Sequence, residues 1–198
     1  LFSRNDVTKY QFVKSNIISL TDTMITKEIL HQFDLFLKKR ELQLEAVIVG
    51  GTVLNLLGYI NRQTRHVDII APELSNDIQK ASKDFAKEHP HLWEESLNNG
   101  PSPLTDILPT GWDNRLVDSF VGEALHLQTL SRSDLLKTKL FAYCDRGTDL
   151  ADCIAMSPTD EELNEALQCV IEQDANEMWP KHVEQTFVDL KQRLGHGT

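Results

Sequence analysis

VIVGGTVLNLLGYINRQTRHVDII, residues Val47 to Ile70, is the stretch that decides how this chain is read. A β-branched run, Val47-Ile48-Val49, ends in the pair Gly50-Gly51. A short apolar segment of helical character follows, and Asp68 then sits inside a second apolar run. Glycines directly after a strand let the backbone approach phosphate oxygens and offer N–H donors at a helix start. A carboxylate on a neighbouring strand is a ligand for a divalent metal beside such phosphates. The glycine pair also has a plainer explanation, a need for positive φ or for tight packing. Both explanations stay open at the level of sequence.

Working outward, Leu44–Val49 reads as a buried strand, Thr52–Tyr59 as a short helix ending near Gly58, and Val67–Ala71 as a second strand stopped by Pro72. Upstream, Thr26 is an N-cap with Glu28 in the first turn, and Ile29, Phe33 and Leu37 recur at helical spacing. Lys38-Lys39-Arg40 closes that helix, where cations suit the dipole. Residues Leu1 to Thr23 are weakly patterned. Downstream, Ser75 caps a helix to about His89, and His91 to Trp112 is a long connection punctuated by Asn98-Asn99-Gly100-Pro101 and Pro103. Leu125–Leu130 alternates enough to be a third strand. Ser131 starts a helix to about Asp145, Asp149–Met156 is a short helix, Thr159 caps another, and Pro180 opens a last helix ending near Leu194-Gly195. The expected class is α/β (α+β), a small mixed sheet with a C-terminal helical segment. It divides into an α/β part, residues 1–130, and a helical part, residues 131–198, packed on it.

The net charge of −10 disfavours broad nucleic-acid contact, which needs Lys and Arg to neutralise phosphates, and is compatible with a basic protein partner. Three cysteines, an odd number without a CxxC, point to a reduced, cytoplasmic protein rather than to disulfides or zinc. The longest apolar stretch, Ala46 to Ile60, is too short and too interrupted to span a bilayer, so no membrane partner is expected. Trp93, Trp112 and Trp179 read as packing or loop anchors.

The order strand, Gly50-Gly51, short helix, then Arg62-x-Thr64 and His66-Val67-Asp68 on a strand resembles the nucleotidyltransferase superfamily. There, a glycine turn holds triphosphate and an Asp-x-Asp strand holds divalent metal. Within it the chain resembles the AbiEii-type group, which includes toxin nucleotidyltransferases, and a poorly characterised bacterial family beside it. A second cluster of that group reads here as Ser131-x-x-Asp134-Leu135, Lys139, Ala142, Arg146 and Asp149-Leu150-x-Asp152. Leu97-Asn98-Asn99-Gly100-Pro101 and Leu108-Pro109-Thr110-Gly111-Trp112 are similar to the poorly characterised family. The resemblance extends from about Val47 to Glu162. It implies transfer of a nucleoside monophosphate from a nucleoside triphosphate to an unknown acceptor. It assigns Asp68 and Lys139 to catalysis, and Gly50, Gly51, Thr52, Arg62, Arg146 and Asp149 to nucleotide binding. The cofactor it implies is a divalent metal, Mg²⁺ or Mn²⁺.

The chain departs from that pattern at two places. His66 stands where the first Asp of Asp-x-Asp is expected, and the strand Leu125–Leu130, where a third acid is expected, contains none. Mg²⁺ wants hard, anionic oxygens, so Mg²⁺-dependent transfer is expected to be weak or absent. If the faces of the two strands coincide, His66, Asp68 and His126 would form a mixed N/O metal cluster suited to Zn²⁺, Mn²⁺ or Fe²⁺. The plainer alternative makes both histidines polar residues at a decayed site. Lys139 and Arg146 share one helical face, as do Asp149 and Asp152. They form either a triphosphate site or a lattice of ion pairs. Three functions therefore stand: an enzyme, a nucleotide-binding module without the chemistry, and a protein-interaction role such as one half of a toxin–antitoxin pair.

Overall fold

A computed structural model describes residues 25–62, 64, 66–89, 92 and 96–196; the weakly patterned start of the chain, His91 and Trp93 lie outside the described residues. Helix α1 (Lys27–Lys39) begins where the Thr26 hydroxyl accepts from the Ile29 amide, and buries Leu30, Phe33 and Leu37. Its basic end is a surface feature: Arg40 lies over the Phe36 ring, and Lys38 pairs with Glu123. Strand β1 (Leu44–Val49) runs straight into helix α2 (Gly50–Leu56). Strand β2 (Val67–Ala71) follows, then α3 (Asn76–Glu88), whose first turn is capped by Ser75. Among the described residues of the long connection lie a two-residue strand, β3 (Leu97–Asn98), and two 3-10 turns, Ser102–Ile107 and Trp112–Arg115. Strands β4 (Val117–Val121) and β5 (Leu125–Thr129) then form a hairpin.

The sheet order is β3-β2-β1-β5-β4. β1 pairs antiparallel with β2 and parallel with β5, while β3 joins β2 in parallel. The C-terminal helices are α4 (Arg132–Arg146), α5 (Leu150–Met156), α6 (Asp160–Ile171) and α7 (Trp179–Leu194). Ser131 caps α4, Gly147 ends it in the left-handed region, and Thr159 with Glu162 forms a capping box on α6. One apolar core runs from Ile48, Ile69 and Leu127 of the sheet to Leu136, Leu163 and Val183 of these helices. Trp179 packs edge-on to Phe141 and donates its indole N–H to the Val170 carbonyl at 2.9 Å. Cys144, Cys153 and Cys169 are all free thiols. Among the described residues no helix is long and apolar enough to cross a membrane.

Two buried carboxylates brace this frame. Asp34 Oδ1 accepts from the amides of Ala124 and Leu125 at 2.7 and 2.8 Å, holding the β4–β5 turn against α1. Asp134 receives a two-pronged Arg115 guanidinium at 2.9 and 3.0 Å, and the Ser131 hydroxyl. Burial pushes both carboxyls up, but donors outweigh it and leave both below the ordinary value: backbone amides for Asp34, Arg115 and Ser131 for Asp134. A depressed native value makes these groups favour the fold above their unfolded value of about 3.9, an advantage lost as pH falls through the native ones. The urea midpoint is therefore expected to stay level from about pH 8 to 5 and to drop below about pH 4. A midpoint that held level to pH 2.5 would remove these carboxylates as stabilising groups.

Candidate functional site

The site begins at the end of β1. Val49 stands opposite Asp68 across the antiparallel β1–β2 ladder, so the glycine turn lies directly beside the Asp68 side chain. Gly50 has φ +80, a conformation that only glycine adopts without strain, and a Cβ there would stand 2.6 Å from Asp68 Oδ2. The turn thus meets both demands that glycine answers, a positive φ and a close approach. Gly51 is also crowded: its missing Cβ points at Thr64 Cγ2, 2.9 Å away, with the Arg62 guanidinium just beyond.

Asp68 is held from its other side by Asn98 on β3, whose Nδ2 donates to Asp68 Oδ1 at 2.9 Å. The Gly100 amide fixes Asn98 in turn, donating to its Oδ1 at 2.8 Å. Asn99 anchors the same loop through the Ile69 and Pro72 carbonyls and the Leu74 amide. Read in sequence, Asn98-Asn99 is turn punctuation; here Asn98 orients Asp68, the carboxylate beside the glycine turn among the described residues. The usable signal was the contrast of two Asn before Gly-Pro with an Asp on a nearby strand, and it is weak.

Helix α4 forms the facing wall. Gly50, Gly51, Asp68 and Asn98 on one side and Lys139, Arg146 and Asp149 on the other line a single cleft of about 600 Å³, a size typical of small-molecule sites. Lys139 is 8% exposed, and its Nζ donates to Asp149 Oδ1 at 2.8 Å and Asp152 Oδ2 at 2.7 Å. Burial alone would push its ammonium down; the two carboxylates outweigh this and hold it above its ordinary value. Burial likewise raises Asp149, and Lys139 pulls it below the usual range. Lys139 is therefore held as a cation in this wall. The Arg146 side chain is 59% exposed and sits 3.5 Å from Asp149 Oδ2, so it is the more accessible cation of the wall.

Arg62 joins the two walls. Its Nη2 lies 2.9 Å from Oδ1 and 3.1 Å from Oδ2 of Asp152. The N–H is directed at Oδ2, so the buried Oδ1 has a charge contact without an aimed hydrogen bond. Thr52 does not face the cleft: its buried hydroxyl donates to the His66 carbonyl at 2.6 Å, tying α2 to the entry of β2.

The expected cluster of His66, Asp68 and His126 does not form. Strand parity does put Asp68 and His126 on one face, but His126 pairs with Glu45 and Asp68 with Val49. Four residues of β1 separate those positions, about 13 Å along the strand alone. His126 is engaged instead with Asp118 on β4, at 2.7 Å. Among the described residues no three His, Cys, Asp or Glu side chains are grouped to hold a metal ion.

A strand, a glycine turn opening a short helix, and an antiparallel strand bearing Asp68, on a mixed sheet backed by C-terminal helices, make a nucleotidyltransferase-type fold. The chain belongs to the family described as nucleotidyltransferase of unknown function (DUF6036), whose model matches residues 24–191. No curated protein and no solved structure gives a significant match.

Proposed function

We propose that the cleft binds a nucleoside triphosphate and that any transfer of its nucleoside monophosphate to an acceptor is slow compared with binding. The observation that carries this is the opposition, across one cleft, of the glycine turn and Asp68 to Arg146 and Lys139. Amides at the turn and the Arg146 guanidinium suit phosphate oxygens. Asp68 would give one carboxylate oxygen to a Mg²⁺ or Mn²⁺ ion carried in on the phosphates, a common mode for Mg²⁺. Such an ion would neutralise charge on the leaving diphosphate. Asp149 and Asp152 are engaged with Lys139, so the donor set does not amount to a protein-built metal cage. In the transfer step an acceptor hydroxyl oxygen bonds the α-phosphorus and releases its proton to solvent, as the bond to the bridging oxygen breaks and diphosphate leaves. Among the described residues Asp68 is the carboxylate beside the turn, and His66 stands where the resemblance expects a second, so charge stabilisation for that step is thin. The AbiEii-type kinship belongs with this proposal, supported by the Lys139, Asp149 and Asp152 cluster opposite the turn.

Calorimetric titration of nucleoside triphosphates with Mg²⁺ or Mn²⁺ tests it. The natural chain should bind, Arg146→Ala should weaken binding about tenfold, the order expected for one charged hydrogen bond, and Asp68→Ala should abolish the metal dependence. With labelled nucleotide, His66→Asp should turn over at least about tenfold faster than the natural chain, since it restores an anionic ligand. Absence of nucleotide binding would end the proposal. Vigorous Mg²⁺-dependent transfer by the natural chain, lost in Asp68→Ala, would overturn its second half.

A further inference from the structure

Beyond the phosphate-facing end, the cleft changes character. Pro101, at the cap of the 3-10 turn Ser102–Ile107, and Pro103, Leu104 and Ile107 within that turn line it together with Phe141 and Ala142 of α4. We infer that this apolar end is the nucleobase subsite and that it accepts any of the four bases with little discrimination; this rests on the nucleotide-binding reading above. The occupant follows from continuity: the apolar end and the Gly50–Asp68–Arg146 end are parts of the same cleft, so a ligand with an anionic chain and a flat apolar head spans both.

Lack of discrimination follows from the hydrogen-bond ledger of the walls. Base identity is read by donors and acceptors on base edges, and a site built to bond such a group rejects analogues strongly. Proline has no N–H, so Pro101 and Pro103 offer none. The Ser102 amide donates to the Asn99 carbonyl at 3.0 Å, and the Leu104 amide to the Pro101 carbonyl at 2.8 Å. The Thr138 hydroxyl, which lines the cleft with Phe141, donates to the Leu135 carbonyl at 2.7 Å. The side chains of Pro101, Pro103, Leu104, Ile107, Phe141 and Ala142 carry no donor or acceptor, and what they offer is contact with the π-face of a base, which all four bases possess.

The test is calorimetric titration of the full chain, with Mg²⁺ present, using ATP, CTP, GTP, UTP and inorganic tripolyphosphate. The four nucleotides should agree within about threefold, and each should bind at least about tenfold more tightly than tripolyphosphate, as base stacking commonly yields. Leu104→Asp should erase that margin while tripolyphosphate affinity stays within about twofold. Pro103→Glu, at an exposed position, gives the same readout should Leu104→Asp fold poorly. Equal affinity for nucleotides and tripolyphosphate would overturn the subsite alone, as would a preference above about thirtyfold for one base. Failure of every probe to bind would strike the nucleotide-binding proposal itself.

Discussion

Replacing Lys139 by Met is expected to remove about 3–5 kcal/mol of folding stability, the usual cost of breaking a buried ion pair from one side. The methionine fills similar volume, so the loss is electrostatic. Asp152 is 2% exposed and Asp149 is mostly buried; without the ammonium both are left as desolvated charges. Arg62 still reaches Asp152, but from the solvent side, and Arg146 is 3.5 Å from Asp149. The melting temperature should fall by on the order of 10 °C. Adding Asp152→Asn to Lys139→Met should recover part of that fall, because it removes a stranded charge. A single variant melting within about 2 °C of the natural chain would show that water or arginine already neutralises the pair.

Gly50→Ala is expected to cost about 2–4 kcal/mol, combining a left-handed conformation with overpacking. It should also remove measurable nucleotide affinity. The added methyl would stand 2.6 Å from Asp68 Oδ2, so either the turn or the carboxylate must move. Moving the carboxylate breaks its bond to Asn98, which is what aims it into the cleft. Gly58→Ala is the matched control: φ there is +79, yet among the described residues no atom beyond its chain neighbours lies within 4 Å of the added carbon. Both variants carry the conformational strain, and only the first displaces Asp68. Equal unfolding midpoints together with unchanged nucleotide binding by Gly50→Ala would show that the close approach has no role at the site.

Helix starts were legible because Thr26, Ser75, Ser131 and Thr159 are side-chain acceptors placed just before apolar periods, and each does cap its helix. The start of α2 was expected at Thr52 and lies at Gly50, since glycine is a poor helix residue and reads as turn. Strand β4 was not foreseen. Val117-Asp118-Ser119-Phe120-Val121 is an edge strand, paired on one side and exposed at both ends, so burial imposes no clean alternation on it. β3, at two residues, carries no period at all. At the site, the glycine turn and Asp68 could be found because the strands that flank them are strongly apolar. Spacing also put Lys139 and Arg146 on one face of α4. It could not give the return of α5 beside α4, which brings Asp149 and Asp152 within bonding distance of Lys139. For His126, period two gives the face of a strand and not the register, and four positions of register separate it from Asp68.

The double grip on Lys139 also bears on how descent should be interpreted. A lysine that the fold requires is under selection through the amount of intact protein in the cell, whatever chemistry that protein performs. Relatives that keep Lys139, Asp149 and Asp152 together would be reporting a sound scaffold. They would say nothing about turnover, and a lineage that had abandoned catalysis would lose the trio late. Under the proposed function, positions 66 and 68 would set the charge available to a metal-bound phosphate, and theirs are the substitutions that would date such a loss.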